Sequence, residues 1–247
     1  MLTMSDSQNI AIVFAGGSGV RMGAAIPKQF LDLDGKPVLA HVLALFQDHP
    51  SVDGIYMAVN PDCMDRAEAF ARQYGVTKLR GVAPGGRSAQ DSIYSALRFV
   101  SEREPSDSVV LLHDGVRPYV TSEVIQANID AARQYGNAVT YTPCYETIVL
   151  SSDGSRIDTI PRRSDSYTAQ APQTFRLCDI LSAHERIRAR PEGYENMVDQ
   201  ATICFTLGID VHLVPGNRGN VKITTPEDIV TLEALIKWRR AGGGNLL

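Results

Sequence analysis

The chain has 247 residues, of which 44% are hydrophobic and 21% are charged, as is ordinary for a globular protein. Aspartate and glutamate outnumber lysine and arginine by 28 to 24, so the formal net charge is −4. Because binding to a nucleic-acid backbone usually needs a basic surface, this balance argues against nucleic acid as the main partner. No apolar run approaches the roughly 20 residues that cross a bilayer, so we expect no membrane segment.

In the first 142 residues, short apolar runs alternate with segments of helical periodicity. Strands are predicted at Asn9–Phe14, Gly54–Val59, Lys78–Ala83, Ser108–Asp114 and Ala138–Thr142. Helices are predicted at Pro37–His49, Cys63–Gly75, Ser88–Glu102 and Thr121–Gly136. This alternation predicts a mostly parallel sheet with helices on both faces, which is the three-layer Rossmann-like arrangement of α/β proteins.

The pattern changes after Thr142. Residues 144–164 read CYETIVLSSDGSRIDTIPRRS, where β-type residues flank the turn signal SSDGS. This predicts a protruding β-hairpin arm, assigned to residues 143–166 of a single domain covering residues 1–247. Because a lone two-stranded hairpin is marginally stable in water, we expect the arm to pack on a second subunit.

Alternation resumes after the arm. Further helices are predicted at Leu177–Arg188, Val198–Leu207 and Pro226–Trp238, a strand at Asp210–Gly216 and a strand-like run at Asn220–Thr224.

Three turns follow predicted strands: the glycine-rich loop after Phe14, APGGR from Ala83, and HDGVRP after Leu112. Ligands of parallel sheets bind at the carboxyl ends of the strands, so we expect these turns to meet in one crevice.

The glycine-rich segment is FAGGSGVRMGAAIPKQF, residues 14–30. It is not a dinucleotide fingerprint, because Met22 replaces the third glycine, and not a P-loop, because no glycine precedes Lys28 at the right spacing. Its glycines allow backbone N–H groups to approach a triphosphate closely, and Arg21 and Lys28 could neutralise charge on a reacting phosphoryl group. The alternative is a surface turn with solvated cations.

Four other residues could carry chemistry. Asp114 ends an apolar strand, where a carboxylate is costly unless it binds Mg²⁺ or a sugar hydroxyl, or forms a structural ion pair. Arg117 could pair with Asp114 or bind a phosphate. Lys222 must reach water or face an anionic ligand. The fourth is one of two adjacent arginines, Arg162 and Arg163, which are either surface charge or supply a clamp for a substrate phosphate.

Other polar residues are interpreted as structural. His113 is predicted to be a packed strand residue, because no partner for catalysis is marked in the sequence. Glu227 and Asp228 follow Thr225, a good N-cap, and are predicted to stabilise a helix start. The four cysteines lack a CxxC pair, and the N-terminus does not resemble a signal peptide, so we predict reduced thiols and a cytoplasmic protein.

The chain contains, in this order, the motifs AGGSGVRMG, PKQF, HDGVRP, ETIV, APQTFR and NVKITTPED. With these motifs it closely resembles the cytidylyltransferases that activate small polyol phosphates. The resemblance covers roughly Ile10 to Leu235. One branch of this family makes CDP-methylerythritol from 2-C-methyl-D-erythritol 4-phosphate in isoprenoid synthesis, and another makes CDP-ribitol from ribitol 5-phosphate for teichoic acid or capsule. The resemblance implies a nucleotidyltransferase-type α/β fold, CTP as substrate with Mg²⁺, and a homodimer joined by the β-arm.

The resemblance also implies roles for particular residues. Nucleotide-binding roles are implied for Ala15, Gly16, Gly17, Ser18, Gly19, Gly86 and Ser92. Catalytic roles are implied for Arg21 and Lys28 at the pentacoordinate α-phosphorus, and for Lys222 at a phosphate. Substrate-binding roles are implied for Asp114, Arg117, Thr147 and Arg163. Asp114 is also implied to lie near the metal, and Thr147 and Arg163 are implied to reach the substrate of the partner subunit.

The chain departs from the family pattern at three positions. Ala89 stands where an arginine is common, and Arg87 is the candidate substitute. Ala171 stands where threonine often precedes the PQ pair, and Gly219 stands where methylerythritol-type enzymes commonly carry an aspartate. These departures leave open the phosphate and metal contacts.

The acceptor is predicted from small differences between the branches. The chain reads AGG, VRP and TIV instead of AAG, ARP and TIK, and it carries Tyr167. These features are more similar to the ribitol-phosphate branch. We therefore expect ribitol 5-phosphate as acceptor, with methylerythritol phosphate as the alternative. Two other hypotheses remain. The protein is a uridylyl- or guanylyltransferase of the same fold, or it is a non-catalytic nucleotide-binding protein.

Overall fold

The computed structural model describes residues 7–16 and 27–243. The strands in these ranges are β1 (Asn9–Phe14), β2 (Asp32–Leu33), β3 (Lys36–Pro37), β4 (Gly54–Val59), β5 (Leu79–Pro84), β6 (Val109–Asp114), β7 (Asn137–Pro143), β8 (Tyr167–Arg176) and β9 (Leu213–Pro215). The helices are α1 (Val38–Gln47), α2 (Met64–Gln73), α3 (Ala89–Ser101), α4 (Ser122–Tyr135), α5 (Leu177–Arg188), α6 (Gln200–Thr206) and α7 (Pro226–Arg240). None of these helices is both long and apolar enough to cross a bilayer.

Seven of the described strands form one sheet in the order β5-β4-β1-β6-β8-β7-β9, while β2 and β3 pair separately. β1 runs parallel to both β4 and β6, and Phe14 at its end is in register with Ala58 and Asp114. β8 runs antiparallel to both of its neighbours. The predicted mostly parallel sheet is confirmed.

β8 was not predicted as a strand. Its sequence, YTAQAPQTFR, is polar and contains Pro172, which cannot donate to a sheet ladder. The structure accommodates the proline where the β7–β8 register shifts between Val139 and Tyr141. Thr140, which lies at this irregularity, donates its hydroxyl to the Pro172 carbonyl at 2.6 Å.

Helices cover both faces of the sheet, as predicted. On one face, α1, α2 and α4 pack a core that includes Phe46, Ala71 and Ile129. On the other face, α3, α5 and α6 pack a core that includes Leu97 and Ile187. The α/β architecture therefore has three layers.

Three of these helices begin after a residue of a type that commonly caps a helix N-terminus. Ser88 precedes α3, Thr121 precedes α4 and Asp199 precedes α6, and each side chain accepts a backbone N–H three residues later.

The arm differs from the predicted hairpin. The β7–β8 ladder ends at the pair Pro143 and Tyr167, and beyond it a single isolated bridge joins Leu150 to Thr159. Its apolar side chains are exposed, with Ile157 at 59% and Ile160 at 58%. A lone pair of strands without a packing partner has little to stabilise it, which accounts for the limited pairing.

Candidate active site

A cavity of about 360 Å³ opens at the carboxyl ends of β1, β4, β5 and β6. It lies beside the β1–β6 pair, where the strand order reverses, which is the usual ligand crevice of an open α/β sheet. Its walls are Phe14, Ala15, Gly16, Lys28, Gln29, Ala58, Gly86, Arg87, Ser88, Ala89, Ser92, Ile93, Asp114, Val116 and Lys222. The predicted meeting of the three turns is confirmed.

One wall is the turn from β5 into α3. Ser92 accepts the Gly86 N–H on its hydroxyl at 2.9 Å and donates the hydroxyl proton to the Ser88 carbonyl at 2.9 Å. A Cβ at Gly86 would lie only 2.4 Å from the Asp91 Cβ, so the first turn of α3 fits against this position only when it is glycine. The positive end of the α3 dipole therefore faces the cavity, which favours an anion.

The wall after β1 includes Ala15 and Gly16. Gln29 is buried and donates its amide N–H to the Ala15 carbonyl at 2.7 Å, which fixes the chain where it leaves the strand. This role of Gln29 was not predicted, although Gln29 lies in the PKQF motif, where a polar residue between a cation and an apolar residue is the available signal. The other predicted loop residues, Gly17, Ser18, Gly19 and Arg21, lie outside the described residues.

Asp114 is held between two cations. Its two carboxylate oxygens accept from Lys222 Nζ at 2.8 Å and from Arg117 Nε at 2.8 Å. Burial alone would raise the pKa of Asp114, but the charges and hydrogen bonds of Lys222 and Arg117 outweigh burial and lower this pKa to about 2. Asp114 is therefore ionised at neutral pH.

Arg117 is a structural clamp in this arrangement. Besides pairing with Asp114, it donates from Nη1 to the Asn220 carbonyl at 2.8 Å, and it does not line the cavity. The predicted pairing with Asp114 is confirmed, whereas phosphate binding by Arg117 stays a prediction.

His113 is packed, as predicted. It is fully buried, and its Nε2 lies 3.0 Å from the Arg117 carbonyl oxygen. Burial lowers its pKa to about 4, so the ring is neutral at physiological pH.

The strand-like run at residues 220–224 is not a strand in the structure. Its one backbone–backbone bond to a distant part of the described chain runs from the Ile223 N–H to the Val116 carbonyl at 3.0 Å. Lys28 also donates to the Ile223 carbonyl, at 3.1 Å. These bonds hold the segment beside the cavity, with Lys222 next to Asp114.

The start of α7 fixes the other end of this segment. The Asp228 carboxylate accepts the backbone N–H groups of Thr224 at 2.7 Å and Thr225 at 2.8 Å. The structural role predicted for Asp228 is confirmed.

A divalent cation would find one carboxylate in this cavity. The described residues contain no group of three or more histidine, cysteine or acidic side chains that could hold a metal ion. Each oxygen of Asp114 accepts one hydrogen bond and keeps a second lone pair, so Asp114 can supply one ligand. This donor set fits Mg²⁺, which is usually held by one or two carboxylates together with substrate phosphates and water.

Two departures from the family pattern have a structural explanation. Arg87 is exposed on the cavity wall beside Ala89 and makes no ion pair or hydrogen bond with any residue in the described ranges, so it can serve as the substitute cation. A Cβ at Gly219 would lie 2.6 Å from the ring of Tyr119. An aspartate at position 219 would therefore require Tyr119 to move.

The arm residues do not reach this cavity within one chain. Thr147 and Arg163 are exposed on the arm, and neither is among the described residues that line the cavity. Seven predicted site residues do come together there: Ala15, Gly16, Lys28, Gly86, Ser92, Asp114 and Lys222.

The family model described as "IspD: 2-C-methyl-D-erythritol 4-phosphate cytidylyltransferase" matches residues 9–238. The chain belongs to the IspD family.

Relatives in this family carry two different names. A ribitol-5-phosphate cytidylyltransferase of Streptococcus agalactiae serotype V is 38% identical over 232 residues, covering 94% of this chain and 96% of the relative. A 2-C-methyl-D-erythritol 4-phosphate cytidylyltransferase of Geotalea uraniireducens is 42% identical over 231 residues, covering 92% and 96%. Both names describe cytidylyltransferases.

The fold agrees with a solved member of the IspD family. The crystal structure of 4-diphosphocytidyl-2C-methyl-D-erythritol synthase from Anaerococcus prevotii superposes with a TM-score of 0.79 and 27% identity, covering 94% of this chain and 96% of that chain.

Proposed function

We propose that this protein transfers the cytidylyl group of CTP to ribitol 5-phosphate, producing CDP-ribitol and pyrophosphate. The observation that carries the proposal is the cavity itself, in which Lys28, Arg87 and Lys222 surround a crevice beside the N-terminus of α3. Such an excess of positive charge beside a helix start suits a triphosphate.

The reaction needs positioned charge more than a strong base. An oxygen of the acceptor phosphate, whose second pKa is about 6, is ionised and attacks the α-phosphorus of CTP. The new O–P bond forms as the bond to the β-phosphate oxygen breaks, and pyrophosphate leaves with the electron pair. Lys28 and Lys222 offset the charge that develops, while the ionised Asp114 keeps Lys222 in position.

Mg²⁺ belongs to this proposal. When bound, it would neutralise charge on the phosphates of CTP, with Asp114 as its protein ligand.

The proposed acceptor follows from individual residues of the site and not from overall sequence identity, because relatives of both names have a similar percentage identity to this chain. Val116, which belongs to the VRP motif that is more similar to the ribitol-phosphate branch, lines the cavity together with Asp114. Gly219 has the Tyr119 ring packed against it, so an aspartate, which methylerythritol-type enzymes commonly have at this position, would fit only if Tyr119 moved. Methylerythritol phosphate remains the alternative, favoured by the name of the family model.

A homodimer joined by the arm completes the proposal. Exposed apolar residues cover the arm and the neighbouring edge of the sheet: Val149, Leu150, Ile157, Ile160, Tyr167, Phe205 and Leu213. A second copy would bury this surface and bring Thr147 and Arg163 towards the partner's cavity. The proposed location is the cytoplasm, consistent with four free cysteines.

Nucleotide selectivity tests the proposal. Pyrophosphate release with ribitol 5-phosphate and Mg²⁺ should be fastest with CTP, and at least about tenfold slower with UTP, GTP or ATP. A tenfold preference for UTP or GTP would identify a different nucleotidyltransferase. Failure to turn over any nucleoside triphosphate with either acceptor would support a non-catalytic binding protein instead.

A further inference from the structure

A chain of polar contacts connects α5, on the outer layer, to the cavity wall formed by the β5–α3 turn. Arg188, near the end of α5, donates from Nη1 to Asp91 Oδ1 at 3.0 Å. The other oxygen of Asp91 accepts the hydroxyl proton of Ser88 at 2.8 Å, while the Ser88 hydroxyl accepts the Asp91 N–H at 3.0 Å. Neither Asp91 nor Arg188 lines the cavity, whereas Ser88 does.

The contacts of Asp91 reach the glycine turn directly. The side chain of Asp91 packs against Gly86, where a Cβ would lie 2.4 Å from its own Cβ. Ser92, the next residue, binds the Gly86 N–H and the Ser88 carbonyl. Asp91 and Ser92 together therefore hold the turn against the start of α3.

Aromatic side chains hold Arg188 in place. The guanidinium carbon lies 4.3 Å from the ring centre of Tyr94 and 5.7 Å from that of Tyr194. The Tyr194 hydroxyl is in turn fixed by the buried His184, whose Nδ1 is 2.6 Å away. Such stacking suits a planar guanidinium better than an ammonium group and limits the rotamers of Arg188.

From this geometry we infer that Arg188 is a positioning residue for the nucleotide, acting through Asp91 on the Gly86–Ser88 turn. It does so in two ways. It fixes the Asp91 carboxylate in the rotamer that supports the turn, and it offsets a negative charge that would otherwise repel a triphosphate bound beside α3. This inference rests on the proposed function, since it concerns the CTP half of that site.

Steady-state kinetics of Arg188→Gln test this role. The variant should raise KM for CTP by about fivefold or more, while kcat and KM for ribitol 5-phosphate stay within about twofold. Arg188→Lys keeps the charge but loses the planar stacking on Tyr94, so it should recover only part of the CTP affinity. Arg98→Gln is the matched control, because Arg98 lies on α3 and pairs only with the exposed Glu102 in the described structure, so its kinetics should equal those of the wild type.

A double variant separates positioning from general loss of stability. In Arg188→Gln with Asp91→Asn, the unpaired carboxylate is gone, so KM for CTP should be raised less than the product of the two single effects. The inference is overturned if KM for CTP in Arg188→Gln stays within about twofold of the wild type, or if both substrates' KM values rise by the same factor.

Direct binding of CTP, measured by calorimetry on the full chain, keeps the two proposals distinguishable. If the wild type binds CTP but does not turn it over, the proposed function fails, and weaker CTP binding by Arg188→Gln still supports the positioning role. If the wild type does not bind CTP, both fail. If the wild type turns over CTP and Arg188→Gln binds it equally well, only the positioning role fails.

Discussion

Lys28 and Lys222 line the same cavity although they come from distant parts of the sequence. Lys28 is bonded to the carbonyl of Ile223, the residue after Lys222, so one backbone segment fixes the positions of both ammonium groups. Preorganised cations of this kind stabilise a transition state in which negative charge accumulates on phosphoryl oxygens.

Replacing Lys28 tests its catalytic role. Lys28→Met should lower kcat about 100-fold, the scale for losing one preorganised charge stabiliser, and Arg21→Ala should do the same. The control is Lys36→Met, since Lys36 lies on the exposed β3 strand away from the cavity. A kcat for Lys28→Met that matches the control would exclude the role.

The buried His113 makes stability depend on pH. Burial lowers its pKa from 6.5 to about 4, so the unfolded chain takes up this proton first as the pH falls. This contribution to the free energy of unfolding is complete above about pH 6.5 and is lost as the pH falls towards 4, and the loss reaches about 2 kcal/mol at pH 5. His184, also buried with a pKa of about 4, adds an effect of the same sign.

Thermal unfolding at two pH values checks this expectation. The fall in Tm between about pH 7.5 and about pH 5 should be smaller for His113→Leu than for the wild type, even though the variant loses the hydrogen bond to Arg117. An equal fall in both proteins would show that His113 does not titrate as described.

Sequence reasoning identified residues whose chemistry is unusual for their position. Asp114 ends an apolar strand and Lys222 interrupts an apolar run, and each signals a charged partner or ligand. Gln29 and Asp91 could not be assigned in this way, because their roles depend on contacts with Ala15 and Arg188, which only the folded chain brings close.

At the scale of elements, the β7–β8 pair connects the sheet to the arm. The paired part is stabilised by its neighbours β6 and β9, whereas the arm beyond Pro143 and Tyr167 has one bridge and exposed isoleucines. This contrast is expected of a segment that acquires its packing partner from another chain.

Charge substitutions on the arm test whether it holds a dimer together. Ile157→Glu with Ile160→Glu should shift the molar mass measured by light scattering from dimer to monomer, because two charges would be buried in an apolar interface. Val230→Glu is the control, since Val230 is 69% exposed on α7, which is not part of the arm. A wild-type chain that is monomeric and fully active would contradict the proposed arm function.

The helices were easier to predict than the strands near the arm. Ser88 and Thr121 are caps that the sequence displays directly, and the helices they begin match the structure to within a residue. β8 is different, because it pairs with β6 and β7, which are distant in the sequence and tolerate Pro172. The local sequence pattern of β8 does not indicate these partners. The segment 220–224 has strand-like residues, yet among the described residues its backbone bonds to a distant segment only through the Ile223 N–H and the Val116 carbonyl.

At the scale of the whole molecule, the sheet order brings the ends of β1, β4, β5 and β6 to one edge, and α7 holds the Lys222 segment across it. This arrangement could be predicted from strand–helix alternation, since parallel strands end on the same side. The acceptor could be predicted only from small differences such as Val116, because both branches share the same scaffold and the same nucleotide chemistry.

The most direct test compares the two acceptors in one assay. With saturating CTP and Mg²⁺, pyrophosphate release should give a kcat/KM for ribitol 5-phosphate at least about tenfold above that for 2-C-methyl-D-erythritol 4-phosphate. The CDP-alditol formed is confirmed by mass spectrometry. A higher kcat/KM for methylerythritol phosphate would contradict the proposed acceptor and assign the chain to the other branch of its family.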